Sequence, residues 1–308
     1  MAAAESLGYR RHPLSTALRT GRTNIIGLSL GDAPAFLRHP HSALMVSTVQ
    51  QALAQRGYAM LVVTLGGVVP CDLRLMDGVI VMGYQPGEEN AVESAALRMP
   101  LLHWFGVSEA QQPGISYDGE ALNTRIAQVN HELAARHLFA LGHRSIALVE
   151  PWGARNNYPG LPVFQRIAQD AGIQAELTGI YDYLTPRTYP NAMRFLDGLR
   201  LPTAIYALDD EVAQRIIDKL SWRGLAVPRD VSVFSRQTDD ADFEHGPGMT
   251  GVFTDWPSSW SSVVDQYLDM LEGKLPTGVL RPVVPSQRVV ERTTCAPRAT
   301  TASPQAKE

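Results

Sequence analysis

Short apolar runs alternate along this chain with longer segments whose apolar residues repeat at helical spacing. Residues 25–30 form an apolar run between turn residues, which is typical of a strand buried on both faces of a sheet. The apolar residues of the next segment share one face of a helix: Met45, Val49, Ala52 and Leu53. Gly57 follows where a helix C-terminus favours a left-handed residue, so the pattern predicts a strand and then a helix.

The same pattern continues to about residue 234. Further strands are predicted at residues 59–65, 78–82, 101–105, 145–149, 176–180, 204–207 and 231–234. Helices are predicted around residues 129–138, 164–171 and 212–220, and the glycines that end them are Gly142, Gly172 and Gly224. This alternation predicts an α/β fold with two lobes, each built on a doubly wound parallel sheet. Ligands of such sheets bind beyond the carboxyl ends of the strands.

Composition and charge limit the classes of function. The 308 residues are 45% apolar and carry a net charge of −4, which excludes a protein that coats nucleic acid with its whole surface. Two cysteines, Cys71 and Cys295, are too few for a disulfide framework or a four-cysteine zinc site. No stretch approaches the roughly 20 apolar residues of a membrane helix, and the N-terminus does not resemble a signal peptide. We therefore expect a cytoplasmic protein without a membrane partner.

The sequence contains none of the motifs that common enzymes need. There is no GxxxxGKS/T phosphate loop, no GxSxG nucleophile turn, no HExxH, and no GxGxxG after the first strand. The acidic run Asp209-Asp210-Glu211 lies between a predicted strand and a predicted helix, where an acid also caps the helix. We expect no catalytic residues, no bound metal and no cofactor.

Basic residues concentrate at the N-terminus. Residues 1–23 contain four arginines and a single acid: Arg10, Arg11, Arg19, Arg22 and Glu5. A basic arm on an acidic body is expected if only the arm meets a polyanion such as DNA. A solvated tail with a few arginines is the alternative.

Three segments carry distinctive combinations of residues: AAAESLGYRRHPLSTALRTGRTNIIGL, HLFALGHRSIALV and LPTAIYALDDEVAQRIIDKLSWRGLAVPRDVSV. Together they resemble the LacI-type (lactose repressor) family of bacterial transcription regulators, from Met1 to about Cys295. The resemblance implies a periplasmic-binding-protein-like fold, in which three crossing strands join two lobes and a small-molecule effector binds in the cleft. It also implies a homodimer that binds operator DNA, with an affinity that changes when the effector binds.

The resemblance also implies a division of the chain. Residues 1–23 would be the end of a DNA-binding headpiece and its hinge helix. Residues 24–140 with about 250–277 would form the N-terminal lobe, residues 141–249 with about 278–297 the C-terminal lobe, and residues 298–308 a disordered tail.

Residues of the hinge are expected to contact DNA. Leu18 matches the hinge leucine that wedges into the central base step, and Arg10, Arg19 and Arg22 would lie near phosphates. Met1 falls within the last headpiece helix of the family pattern. Either translation starts upstream of Met1, or the protein is a remnant that senses a ligand. We expect residues 1–308 to show little operator preference, because base contacts supply specificity.

The effector site implied by the resemblance has seven candidate residues: Trp104, Trp152, Asp209, Asp210, Arg236, Gln237 and Trp256. Tryptophan faces can stack on a sugar, although core packing is the commoner reason for a tryptophan. The arginine that family members often carry near residue 160 is replaced by Gly160 or Leu161, and their Gly-aromatic-Asp segment becomes Ser235-Arg236-Gln237. We therefore expect that the usual sugars are not bound in the usual way. A stand-alone sugar-binding protein without specific DNA binding is the alternative function.

Overall fold

The structure is a computed structural model that describes most of the chain between residues 21 and 298. The described residues are 21–30, 37, 40–65, 75–83, 99–104, 115–117, 119–151, 159–182, 188–207, 209–238, 248–276, 279–281 and 283–298. The chain divides into two compact units, Met1–Leu122 with Trp256–Val284, and Asn123–Asp255 with Pro285–Glu308.

Strands and helices alternate through the described part of the chain. The strands are β1 (Ile25–Leu30), β2 (Ala59–Val63), β3 (Gly78–Gly83), β4 (Leu101–His103), β5 (Ile115–Tyr117), β6 (Ser145–Pro151), β7 (Glu176–Asp182), β8 (Ala204–Ala207), β9 (Ser232–Thr238), β10 (Thr250–Thr254), β11 (Val279–Leu280) and β12 (Gln287–Val290). The helices are α1 (Pro40–Gln55), α2 (Gly119–Ala140), α3 (Gly160–Asp170), α4 (Pro190–Leu196), α5 (Asp210–Trp222) and α6 (Trp256–Leu271).

The first unit is built on a six-stranded sheet in the order β11-β5-β4-β3-β1-β2, in which the paired strands are parallel. Ile26 and Leu28 of β1 share an apolar core with Val49 of α1 and Tyr267 of α6. The hydroxyl of Tyr267 donates to the carbonyl oxygen of Pro100 at 2.8 Å, which joins α6 to the segment before β4. Helices α1 and α6 therefore bury the sheet face that carries alternate residues of β1.

The second unit is built on a six-stranded sheet in the order β12-β10-β9-β8-β6-β7. Its paired strands are parallel except for β12, which runs antiparallel to β10. On one face, Phe164 of α3 and Leu138 of α2 pack with Tyr206 of β8. On the other, Ile216 of α5 packs with Ile205, the neighbour of Tyr206 in the same strand. Because neighbouring strand residues point to opposite faces, this sheet is covered by helices on both sides.

The α/β fold with two parallel sheets, predicted from the hydrophobic pattern, is confirmed. The strands at 25–30 and 204–207 have the predicted bounds. The four glycines predicted to end helices all have a positive φ, between 65° and 86°: Gly57, Gly142, Gly172 and Gly224. Positive φ is costly for residues with a Cβ, so glycine is favoured at these positions. The helix ends could therefore be predicted from the sequence.

Several elements differ from the sequence-based expectation. Helix α6 was not predicted, and neither were α4, β5 and β10–β12. The division between units also falls elsewhere: most of α2 belongs to the second unit, because Ala134 and Leu138 pack into that unit's core. Strand β10, expected in the N-terminal lobe, pairs with β9 in the second sheet.

The two ends of the chain lie largely outside the described residues. The predicted headpiece and hinge are described only from residue 21 onwards, and the predicted tail only at Arg298. The backbone N–H of Arg298 donates to the carbonyl oxygen of Leu141 at 2.7 Å, so the first residue of the expected tail is held against the end of α2. Among the described helices, none has the length and apolar character needed to cross a membrane.

Candidate ligand site at the carboxyl edge of the second sheet

Carboxylates at the ends of two strands cap the helices that follow them. Asp182 is the last residue of β7, and its two oxygens accept from the backbone N–H groups of Asn191 and Ala192 in α4 at 2.9 and 2.8 Å. Asp209 follows β8 and accepts from the N–H of Val212 in α5 at 2.9 Å. Because the strands are parallel, these acids and helix N-termini lie at one edge of the sheet, where ligands of such folds bind.

Glu150 of β6 caps the N-terminus of α3 in the same way. Its side chain is buried, with the residue 2% exposed, and its Oε1 accepts from the backbone N–H of Gly160 at 2.5 Å. Pro159 precedes the helix and supplies no side-chain cap. A Cβ on Gly160 would lie only 2.8 Å from Glu150 Oε1 and 2.7 Å from Nδ1 of His131. The glycine therefore gives both polar side chains room to reach the start of α3.

His131 and Tyr206 form a buried polar pair next to this carboxyl group. His131 Nδ1 and the Tyr206 hydroxyl oxygen are 2.7 Å apart in a hydrogen bond, and the two rings meet edge to face at 5.6 Å. The ring of Phe164 packs 5.2 Å from that of Tyr206. Burial raises the pKa of Tyr206 well above its ordinary value, so the hydroxyl keeps its proton.

Arg236 of β9 supplies a positive charge near Glu150 and Tyr206. Burial raises the pKa of Glu150, while the backbone N–H groups of Gly160 and Leu161 and the charge of Arg236 act in the opposite direction. Across the described ranges Arg236 makes no hydrogen bond or ion pair, and its side chain is half-buried. No group of three or more His, Cys, Asp or Glu among the described residues could hold a metal ion. The arrangement suits hydrogen bonding to an organic ligand that carries both donors and acceptors.

Replacing Asp182 with alanine should lower the free energy of unfolding by about 1 kcal/mol, since two N–H groups at the start of α4 lose their acceptor. Urea denaturation of the full chain measures the change. Asp218→Ala on the exposed side of α5 is the control and should stay within about 0.5 kcal/mol of wild type. Equal stability of the two variants would show that the cap of α4 contributes nothing.

Four of the seven effector candidates from the sequence lie at this edge of the sheet. Asp209 uses its carboxylate as the cap of α5, and Asp210 is the first residue of that helix and is half-buried. Arg236 and Gln237 lie next to each other in β9, and the side chain of Gln237 is outside the described residues. The effector role of these residues stays a prediction.

The tryptophan candidates lie elsewhere in the chain. Trp104 follows β4, is 1% exposed and belongs to the apolar core of the first unit. Trp256 begins α6 and stacks on Trp260, with ring centroids 5.6 Å apart and planes at 17°. Trp152 lies outside the described residues. Core packing is therefore the role that the structure gives to Trp104, whereas the effector role of all three stays a prediction.

The predicted DNA contacts Arg10, Leu18 and Arg19 lie outside the described residues. Arg22 is described, and its Nη2 donates to the carbonyl oxygen of Leu271 at the end of α6 at 3.3 Å. The N–H and hydroxyl of Thr23 donate to Asp77 Oδ1 at 2.7 and 2.9 Å, and the N–H of Asn24 donates to Oδ2 at 2.8 Å. These bonds fix the chain where the basic N-terminal segment enters β1.

Sequence reasoning missed Glu150, His131, Tyr206 and Asp182. A carboxylate directly after the apolar run 145–149 was the available signal for Glu150, because a charge at the end of a buried strand must find a partner. His131 carried no comparable signal, since a histidine within a helix is most often an ordinary surface or core residue. Its contact with Tyr206, 75 residues away, depends on the tertiary structure.

Two units, each built on a mainly parallel six-stranded sheet, agree with a periplasmic-binding-protein-like fold. The chain belongs to the periplasmic binding protein-like domain family, whose model matches residues 135–295.

Its relatives are regulators of the LacI type, which confirms the resemblance found in the sequence. The HTH-type transcriptional regulator PtxS of Pseudomonas plecoglossicida is 25% identical, over 88% of this chain and 79% of PtxS. The lactose operon repressor of Escherichia coli K12 is 27% identical, over 91% of this chain and 78% of the repressor. A crystal structure of the lac repressor dimer bound to operator and the anti-inducer ONPF matches with a TM-score of 0.65 and 21% identity, covering 96% of this chain and 88% of that one.

Proposed function

We propose that this chain is a cytoplasmic LacI-type transcriptional repressor. It binds operator DNA as a homodimer, and a small-molecule effector at the carboxyl edge of the second sheet controls its affinity for DNA. The observation that supports this most strongly is the match to transcriptional regulators over 88% and 91% of the chain. The role is regulatory and not enzymatic, in keeping with those relatives.

The effector site would centre on Glu150 and Arg236, with Asp210 and Gln237 at the same edge. Trp104, Trp152 and Trp256 complete the set of candidates from the sequence. A ligand that binds here more tightly in one state of the protein shifts the population toward that state, and the DNA affinity changes by the same coupling free energy.

DNA contact is assigned to the basic arm, with Leu18 as the minor-groove wedge and Arg10, Arg19 and Arg22 near phosphates. The hydrogen bond from Arg22 to Leu271 and the bonds from Thr23 and Asn24 to Asp77 tie the end of the arm to the first unit. A change in that unit would thereby reach the arm.

The test is selection of bound sequences from a random double-stranded DNA pool, using residues 1–308 and a form extended upstream into the same reading frame. The proposal expects the extended form to enrich one sequence and a sugar or nucleoside from a thermal-shift screen to change its affinity. Ligand binding without any sequence enrichment by either form would favour the stand-alone binding protein.

Replacing Arg19 with alanine should weaken binding to any duplex about equally and reduce the slope of log K against log salt by about 1, because one phosphate contact is lost. Fluorescence anisotropy of a labelled duplex over a salt series measures both. Arg229→Ala is the control: Arg229 has a 74% exposed side chain paired with Asp230 and is not part of the arm. An unchanged slope for Arg19→Ala would remove Arg19 from the DNA interface.

A further inference from the structure

We propose that Glu150 determines the specificity of the effector site and selects a polyhydroxyl ligand that carries an amino group. The inference rests on the proposed effector function and names the ligand chemistry of that site. Neither the relatives nor the sequence resemblance assigns a role to Glu150.

The first step concerns the two oxygens of the Glu150 carboxylate. Oε1 accepts from the N–H of Gly160 at 2.5 Å, whereas Oε2 is buried and has no hydrogen-bond partner in the described part of the chain. A buried carboxylate oxygen without a donor is costly, so a donor brought by a ligand would be strongly favoured. A charged amino group makes a stronger hydrogen bond to a carboxylate than a hydroxyl group does.

The second step concerns anionic ligands. Helix N-termini at the edge of a parallel sheet usually attract anions. Here the starts of α3, α4 and α5 already hold the carboxylates of Glu150, Asp182 and Asp209. The N–H groups that these acids occupy cannot bind a phosphate or carboxylate ligand, and the acids repel one. The helix N-termini at this edge are therefore not available to an anionic ligand.

The third step concerns Arg236, which supplies the donors. It lies close enough to affect the ionisation of both Glu150 and Tyr206, and it forms no ion pair or hydrogen bond among the described residues. Guanidinium groups bind hydroxyl and ring oxygens through several N–H donors. A ligand with an amino group for Glu150 and hydroxyl groups for Arg236 satisfies both side chains.

Matched ligands test this on the full chain. Hexoses, their 2-amino derivatives and their 6-phosphates are compared as sets, for example glucose, glucosamine and glucose 6-phosphate, by thermal shift and then calorimetry. We expect the amino member of the bound set to bind about 10-fold more tightly than its hydroxyl counterpart and the phosphate to bind most weakly. Tighter binding of a phosphate or of the plain hexose would overturn the inference and leave the effector function standing. Silence of every set would overturn the inference, and the effector function would then be decided by the nucleosides of the wider screen.

Glu150→Gln should bring the amino and hydroxyl members within about 2-fold of each other while it keeps hydroxyl binding, because the amide has no charge. Asp218→Asn is the matched control, since Asp218 is exposed on α5 and is not part of the site, and it should keep the preference. A preference that survives in Glu150→Gln contradicts the proposal.

The wild-type protein gives a second readout that does not depend on the folding of a variant. Gly160 on α3, His131 on α2, Tyr206 on β8, Tyr181 on β7 and Arg236 on β9 surround the carboxyl group of Glu150. Protonation of Glu150 at low pH should abolish the preference for the amino member. A preference that stays constant from pH 8 to the acid limit of folding would contradict an ionised Glu150 as its source.

Discussion

Truncation of Phe164 to alanine should lower the free energy of unfolding of the second unit by about 3–5 kcal/mol. Phe164 has no exposed surface and lies between Phe139 and Tyr206, with ring centroids 6.1 and 5.2 Å away. The loss combines the transfer free energy of the ring with the cavity left behind. The effect should extend to the ligand site, because Tyr206 packs on Phe164 and holds His131 in place.

Urea denaturation of the full chain, with hydrogen exchange of the β6 and β8 amides, measures this loss in the second unit. Trp222→Ala is the control, since Trp222 is 86% exposed and its removal should change stability by less than about 0.5 kcal/mol. Phe164→Leu should lose less than Phe164→Ala because it leaves a smaller cavity. A loss below 1 kcal/mol in Phe164→Ala would mean that the core formed by α3 and β8 is not packed as described.

Acidification should destabilise the protein through His143. Burial, helped by the positive charges of Arg298, His137 and Arg144, lowers the pKa of His143 to about 4. The unfolded chain takes up this proton near pH 6.5, so stability is present above that pH and is lost as the pH falls toward 4. Between pH 7 and pH 5 this one group should cost about 2 kcal/mol.

His143→Gln tests the assignment, since glutamine does not titrate and can still bond the Thr203 hydroxyl that lies 3.1 Å from His143 Nδ1. The free energy of unfolding is measured by urea denaturation at pH 7, 6 and 5. The free energy lost between pH 7 and pH 5 should be about 2 kcal/mol smaller for this variant than for wild type. His137→Gln is the comparison: burial also lowers the pKa of His137, but Glu291 opposes the shift, so its effect should be smaller. Parallel pH profiles for wild type and His143→Gln would rule out His143 as the source.

Much of the fold could be predicted from the sequence because its signals are local. The run at 25–30 is largely apolar, which is typical of a strand buried on both faces of a sheet. Gly57 is a glycine because the chain turns there with a φ of 79°. Helix α6 was missed although Val263, Val264, Tyr267 and Leu268 share one buried face. Its first turn is rich in serine and tryptophan, which are weaker helix formers than alanine or leucine, and its apolar face packs into the core of the first unit.

The site was predictable only in part. Asp209 was readable as a helix cap, because an acid between an apolar strand and an amphipathic helix is a local signal, and the bond to Val212 confirms that role. The role of Glu150 could not be predicted from the sequence. Its partner Gly160 is ten residues away across a loop, and its neighbours Tyr206 and Arg236 come from other strands.

The sequence by itself determined the fold class, the helix ends and the regulator-like pattern of the chain, since each depends on residue periodicity or on neighbours within a few positions. The tertiary structure decided which polar groups meet. Parallel alignment brings the ends of β6, β7, β8 and β9 to one edge, and burial there leaves Glu150 with one oxygen bonded to Gly160 and the other without a donor. Chemistry of that kind depends on distances between residues far apart in the chain, which no local pattern contains.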